Sequence, residues 1–127
     1  MKKASVILEA DALEMCRESS NVINIVERFK LKGRSYFVTK YAAGGDLTNF
    51  CMKYQKLAEG ARLEGWLTEQ QVRHIFKQIA TGVSEIHQQG LVHRDLKLLN
   101  IFLYDLNKMP RVKIGDLGSA VHLGPGE

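Results

Sequence analysis

Apolar side chains recur at helical spacing in three stretches of this chain. The first covers residues 4–18, where Val6, Ala10 and Leu13 share one face and Ser5 is the candidate N-cap. The other two predict longer helices that bury one face against the rest of the molecule. Their apolar stripes comprise Leu47, Phe50, Cys51, Tyr54 and Leu57 in a helix over residues 47–58, and Val72, Ile75, Phe76, Ile79, Val83 and Ile86 in a helix that begins at Thr68 and ends at Gly90.

Side chains that cap helices mark two of these starts. Thr68 is followed three residues later by Gln71, which is the spacing of a capping box. Asp46 directly precedes Leu47 and can cap the middle helix.

Between the helices, short runs of β-branched and aromatic residues predict two hairpins. Residues 24–29 and 35–39 form the strands of the first, and Lys32-Gly33-Arg34 is its turn. The second joins residues 101–103 to 112–114 about the turn Asn107-Lys108-Met109-Pro110. A chain that mixes helices with antiparallel strands in this way is of the α+β class.

Composition and charge limit the partners. The 127 residues suffice for one ordinary domain, and the 18 basic residues behind the net charge of +4 are scattered, so no nucleic-acid partner is expected. No apolar run is long enough to span a bilayer, and Glu9 and Asp11 interrupt the first one. We therefore expect no membrane partner and an intracellular, cytoplasmic location. Cys16 and Cys51 match no metal spacing and are expected to be small buried residues.

The stretch over residues 91–118 carries the chemistry. It contains a template of the form H-R-D-L-x-x-x-N, followed at the end of an apolar strand by a D-x-G turn. The matching residues are His93-Arg94-Asp95-Leu96 with Asn100, and then Asp116-Leu117-Gly118. This stretch resembles the catalytic loop and metal-binding turn of eukaryotic protein kinases, and a lysine at position 97 is similar to the serine/threonine type.

The resemblance implies the central part of a bilobal kinase fold, truncated at both ends. Residues 1–127 would form a partial kinase domain with a small-lobe helix and β-hairpin, a hinge, and a mainly helical large lobe that holds the catalytic loop. The expected divisions are a small-lobe remnant at 1–40, a hinge at 41–45 and the first part of the large lobe at 46–127.

The same resemblance implies ATP- and Mg²⁺-dependent phosphoryl transfer to serine or threonine hydroxyls of a protein substrate. Asp95 would accept or orient the proton of the attacking hydroxyl, and Lys97 would offset charge on the transferring phosphate. Asn100 and Asp116 would supply oxygen ligands for Mg²⁺. Leu117 replaces the family's phenylalanine and keeps an apolar plug of smaller size.

Nucleotide-binding residues are implied mostly along the hinge. Main-chain groups near Lys40 and Ala42 are expected to be unpaired and to bond the adenine edge, with Thr39 at the back of the pocket. Asp46 can bond the ribose hydroxyls, cap the helix, or do both. Phe102 is expected beneath the adenine, although ordinary core packing explains it nearly as well.

One glutamate of the first helix is expected to pair with the lysine that holds the ATP phosphates. We choose Glu9, because Leu13 and Cys16 follow it as apolar residues follow the family's glutamate, and Glu14 stays open as the alternative. A solvated position on the helix surface is as good an explanation for either residue.

Two parts of a kinase domain are not found in this sequence. It contains no G-x-G-x-x-G loop to cover the phosphates and no lysine on a strand before the first helix. The first hairpin would also lack the other strands of its sheet, and the long helix would lack partners for part of its apolar face. We therefore expect the isolated chain to be at best loosely folded and inactive, a hypothesis that Mg²⁺-dependent kinase activity abolished by Asp95→Asn would refute. The alternatives are a catalytically inactive binding or scaffold module and a small-molecule phosphotransferase. The protein substrate, the subfamily and the oligomeric state are not predicted.

Overall fold

The computed structural model describes residues 4–60, 67–105 and 107–124, with only the backbone described over 54–60. The helices are α1 (Glu9–Met15), α2 (Leu47–Gly60) and α3 (Glu69–Gln88). The strands are β1 (Ala4–Val6), β2 (Ile25–Leu31), β3 (Arg34–Thr39), β4 (Gly45–Asp46), β5 (Leu91–Val92), β6 (Ile101–Leu103), β7 (Val112–Ile114) and β8 (Val121–Leu123). They form three small antiparallel sheets, ordered β1-β8-β5, β2-β3 and β4-β6-β7.

The predicted first helix is wrong over its first turn. Residues 4–6 form strand β1, which pairs with β8 in a register that sets Ser5 opposite His122. The Ser5 hydroxyl donates to the His122 carbonyl at 3.3 Å, so Ser5 is not an N-cap. Helix α1 begins only at Glu9, after Leu8, whose side chain makes no capping hydrogen bond. The partner strand lies more than a hundred residues away, which is why local periodicity missed it.

The first hairpin is confirmed, with strands slightly longer than predicted. Its two-residue turn, Lys32-Gly33, has positive φ angles of 50° and 78°, the backbone that closes tight hairpins. Phe29 and Tyr36 stack across the strands with ring centroids 5.3 Å apart. Past Ile25 the strands are solvent-exposed and keep apolar side chains in water, as expected for a hairpin with few neighbours. The exposed apolar residues are Val26, Phe29, Leu31, Tyr36, Phe37 and Val38.

The long helix α3 has the predicted capping box and buries most of the predicted apolar face, together with polar positions that were not predicted. The Gln71 N–H donates to the Thr68 hydroxyl at 3.1 Å, and the Thr68 N–H donates to the Gln71 side chain at 2.9 Å. Val72 and Phe76 were predicted to face inward, yet they are 48% and 68% exposed. The buried positions of α3 are Gln71, Ile75, Gly82 and Ile86.

Polar side chains beside this apolar face also bond α3 to the segment around β7. The Gln71 amide donates to the Lys108 carbonyl at 2.9 Å, and His74 Nε2 lies 2.9 Å from the Pro110 carbonyl. Gln78 donates to the same Pro110 carbonyl and accepts from the Val112 N–H, both at 3.0 Å. Buried backbone groups need such partners, and these bonds bring the polar stripe of the helix against β7.

The loop between α1 and β2 fastens the first part of the chain to this core. Val22 forms a parallel bridge with Ile114, whose N–H donates to the Asn21 carbonyl at 2.9 Å. The buried Asn21 side chain also donates to the Val112 carbonyl at 2.9 Å. Gly82 leaves room for this approach, because a Cβ there would lie 2.5 Å from the Asn21 carbonyl oxygen. Residues on both sides of the segment 41–45 thus share one core.

Candidate active site

A buried histidine organises the loop that follows β5. His93 Nδ1 accepts from the Asp95 N–H at 3.1 Å, so the ring proton is on Nε2 and is donated to the Gly115 carbonyl at 2.8 Å. The ring therefore fixes the backbone of Asp95 on one side and the residue before Asp116 on the other. Histidine suits this position because one ring accepts and donates at once.

Asp95 and Asn100 are joined directly. The Asn100 Nδ2 donates to the Asp95 carbonyl at 2.8 Å and lies 3.3 Å from its carboxylate Oδ2. A 3₁₀ turn over Leu98–Asn100, closed by the Asn100 N–H on the Lys97 carbonyl at 2.9 Å, brings the two side chains together. Lys97 Nζ lies 3.6 Å from the Asp95 carboxylate, and both side chains are partly exposed. The carboxylate is thus oriented, and it remains open to solvent.

One backbone hydrogen bond joins the loop that holds Asp95 and Asn100 to the turn at Asp116. The Gly115 N–H donates to the Asn100 carbonyl at 2.8 Å. Asp116 has a left-handed backbone, with φ 53° and ψ 71°, which turns the chain sharply after β7 and leaves its carboxylate exposed. Leu117 is fully buried, which confirms the apolar plug. Asn100 and Asp116 could hold a divalent cation through oxygen atoms, the ligands that Mg²⁺ prefers.

The two candidate glutamates of α1 differ clearly in their surroundings. Glu9 lies beside the turn over residues 116–118, where burial and then the Asp116 charge raise the pKa of its carboxyl, partly offset by a backbone hydrogen bond from Leu117. Glu14 faces away and is bound by two nitrogens of Arg17, each at 2.8 Å, which lowers the pKa of Glu14. Only Glu9 is placed next to the remaining site residues.

The hinge is more fully bonded than expected. The prediction that main-chain groups of Lys40 are unpaired is wrong: its N–H donates to the Asn24 carbonyl at 3.3 Å, and its carbonyl accepts from the Tyr104 hydroxyl at 3.4 Å. The prediction is also wrong for the Ala42 carbonyl, which accepts from the Gly45 N–H at 3.1 Å, whereas no backbone hydrogen bond engages the Ala42 N–H among the residues that the structure describes. Thr39 is the last residue of β3 and is half-buried.

Asp46 and Phe102 face each other across β4 and β6. Asp46 caps α2, as the sequence predicted. One of its carboxylate oxygens accepts from the main-chain N–H of Asn49 and the other from the Asn49 side-chain nitrogen, each at 2.9 Å. Phe102 is half-buried and packs over Gly115, where a Cβ would lie 2.6 Å from its ring. The absence of a side chain at position 115 therefore lets the Phe102 ring pack against the residue that precedes Asp116.

The sequence analysis did not predict that polar side chains of α3 bond backbone groups outside the helix. His74 was assigned no role, and neither Gln78 nor Glu85 was singled out, although each bonds backbone outside its helix. The sequence does carry one indication, since Gln71, His74, Gln78 and Glu85 recur at helical spacing beside Gly82. A stripe of polar residues on a helix is usually exposed to solvent, but it can also be buried when backbone groups of another segment lie against it and form hydrogen bonds with it.

The part of the chain that the structure describes holds no group of three His, Cys, Asp or Glu residues that could bind a metal ion. None of the three described helices combines the length and apolarity that a membrane crossing needs.

Comparison with known proteins identifies the class that this fold and site define. The family model for the protein kinase domain matches residues 1–127, and the chain belongs to the protein kinase family. The α+β arrangement accordingly fits a truncated kinase fold.

All three particular relatives are named as kinases, and two of them as serine/threonine-protein kinases. The chain is 37% identical over 105 residues to the Mus musculus protein named inactive serine/threonine-protein kinase PLK5, an alignment that covers 83% of this chain and 16% of that protein. It is 31% identical over 126 residues to the probable serine/threonine-protein kinase zyg-1 of Caenorhabditis elegans, in an alignment that covers 98% of this chain and 16% of that protein. The human NUAK family SNF1-like kinase 1 is 38% identical over 98 residues, which are 77% of this chain and 13% of that kinase. The chain therefore spans only a small part of these relatives.

Proposed function

We propose that this chain carries the catalytic loop, metal-binding turn and hinge of an ATP- and Mg²⁺-dependent serine/threonine protein kinase. The observation that carries the proposal is the bonded path from Asp95 through Asn100 to Gly115 and Asp116. We keep the divisions of the sequence prediction, with a small-lobe remnant at 1–40, a hinge at 41–45 and the first part of the large lobe from 46.

Asp95 is the proposed acceptor or orienting group for the proton of the substrate hydroxyl. Its carboxylate is oriented by Asn100 and remains accessible, which a group that meets a protein substrate requires. Lys97, held near the same carboxylate, would stabilise negative charge on the transferring phosphate. Such a reaction depends mainly on positioning and charge neutralisation, and these residues supply both.

The residues present fit a magnesium–nucleotide pair in part. Asn100 gives its Nδ2 to Asp95, so its amide oxygen would be the atom that holds the cation, and the exposed Asp116 carboxylate would supply the negative charge. A bound Mg²⁺ would neutralise phosphate charge. The Ala42 N–H is the proposed adenine donor, with Thr39, Asp46 and Phe102 around the base and ribose.

Glu9 is the proposed partner of a phosphate-binding lysine. Its carboxylate lies beside the metal-binding turn, and burial together with Asp116 raises its pKa, so a cation at this position would be stabilising. Glu14, which Arg17 already neutralises, is a poorer choice.

Magnesium-dependent nucleotide binding tests the proposal. Titration of the chain with a non-hydrolysable ATP analogue, with and without Mg²⁺, is expected to show binding that requires the metal and is lost in Asp116→Asn. Glu69→Gln is the matched control, since it also removes a carboxylate but lies in the exposed first turn of α3. Binding that is absent, or that Asp116→Asn leaves intact, would overturn the proposal.

A second candidate is an inactive kinase-like module that binds partners. Two observations favour it: the exposed apolar residues Val72 and Phe76 on α3, and the description of the PLK5 relative as inactive. An exposed apolar face of this kind is typical of an interaction surface. Failure of nucleotide binding in a chain that unfolds cooperatively in urea would favour this alternative.

A further inference from the structure

One carboxylate on α3 fastens the loop between α1 and β2. The Ser20 N–H donates to Glu85 Oε2 at 2.7 Å, and the Asn21 N–H donates to Glu85 Oε1 at 3.0 Å. The Ser20 hydroxyl lies 3.2 Å from both Glu85 Oε2 and the Asn21 side-chain oxygen, so it donates to one of them at a time. Hydrogen bonds to an ionised acceptor are stronger than those between neutral groups, and this acceptor receives them from two consecutive residues.

The junction of Ser20, Asn21 and Glu85 is connected to the candidate site through one further hydrogen bond. Asn21 accepts from the Ile114 N–H at 2.9 Å, and Ile114 is two residues before Asp116. On its other side the loop leads back to α1, which carries Glu9. Release of the loop would therefore loosen two elements that flank the metal-binding turn.

Ser20 is the accessible hydroxyl of the junction. It is exposed, whereas the neighbouring Ser19 is half-buried. Arg17 precedes Ser20 by three residues and is also exposed. A positive charge at a fixed distance before a serine is a pattern that protein kinases use to select substrates.

We propose that Ser20 is a phosphorylation site, and that its phosphate releases the loop from Glu85. The modifying enzyme is an ATP-dependent protein serine kinase. The Ser20 Oγ forms a bond to the γ-phosphorus of ATP, the bond from that phosphorus to the bridging oxygen breaks, ADP leaves, and the hydroxyl proton passes to solvent. The inference does not depend on whether this chain itself catalyses phosphoryl transfer.

Charge drives the proposed release. A phosphoserine carries about −1.5 to −2 charges at neutral pH, and here it would sit within hydrogen-bonding distance of the Glu85 carboxylate. Arg17 is the basic residue nearest in sequence, but two of its nitrogens are already held by Glu14 at 2.8 Å. Repulsion between the phosphate and Glu85 would therefore open the two amide hydrogen bonds.

The modification is tested by incubating the chain with γ-labelled MgATP and a purified serine kinase that selects arginine three residues before its target. We expect one label, which Ser20→Ala abolishes, Ser19→Ala retains and Arg17→Ala reduces. Absence of label in the unmodified sequence, or label that persists in Ser20→Ala, overturns the site.

The release is tested with phosphoserine inserted during translation at position 20 or, as control, at position 84. Ser84 adjoins Glu85 but is exposed on α3, so it adds the same charge without entering the junction. Hydrogen exchange of the Ser20 and Asn21 amides is expected to become roughly tenfold faster, or more, with phosphoserine 20 alone. Equal exchange in the two phosphoproteins would overturn the release. Glu85→Gln should reduce the effect, since it removes the repelling charge.

Discussion

Gly82→Ala probes the contact that joins the two parts of the fold. A Cβ at position 82 would lie 2.5 Å from the Asn21 carbonyl oxygen and 2.8 Å from Ile114 Cδ1, closer than such atoms approach in folded proteins. Overpacking of this kind costs about 1–3 kcal/mol. Alanine gains about 1 kcal/mol over glycine as a helix former. Weakening of the Ile114–Asn21 hydrogen bond costs about the same amount.

The gain in helix propensity and the loss from the weakened hydrogen bond cancel. The overpacking cost remains, so Gly82→Ala should destabilise the chain by about 1–3 kcal/mol. Urea unfolding followed by far-ultraviolet circular dichroism measures this, and the midpoint should fall by about 1 M at an unchanged slope. Ser84→Ala is the control, because Ser84 is exposed on the same helix and should change the stability by less than about 0.5 kcal/mol. Gly82→Ala at or above the stability of the parent chain would refute the described packing.

Three further predictions concern buried polar groups. Asn100→Asp removes the donor to the Asp95 carbonyl and sets two carboxylates together, so unfolding in urea should show a loss of about 1–3 kcal/mol, and an unchanged midpoint would contradict the bond. Burial raises the pKa of the Cys16 thiol to about 11. Iodoacetamide at pH 8 should therefore alkylate the half-buried Cys51 before Cys16, as mass spectrometry of the peptides can show, and the reverse order would refute the burial. Burial lowers the pKa of Lys113 below its ordinary 10.5. Between the lowered pKa of the folded chain and 10.5, the unfolded chain binds more protons than the folded chain, so the free energy of unfolding should rise with pH over this range. Lys113→Met should lose this part of the pH dependence, and identical profiles for the two chains would contradict it.

The sequence determined the features that depend on neighbouring residues. The capping box at Thr68, the turn at Lys32-Gly33 and the cap that Asp46 makes on α2 all follow from bonds or backbone angles within a few positions. The motifs around Asp95 and Asp116 were also readable, because their chemistry requires particular side chains at fixed spacing. The family match to the protein kinase domain confirms the class that these motifs indicated.

Only the tertiary structure decided which distant groups meet. Strand β1 exists because β8 supplies its hydrogen bonds, and the pairing of Lys40 with Asn24 removed a donor that the hinge was expected to leave free. Beside its buried apolar residues, helix α3 also brings His74 and Gln78 against the core, because the carbonyl of Pro110 and the N–H of Val112 need partners. Periodicity records which side chains share a face, and the demand of buried backbone for hydrogen bonds decides which polar residues are covered with it.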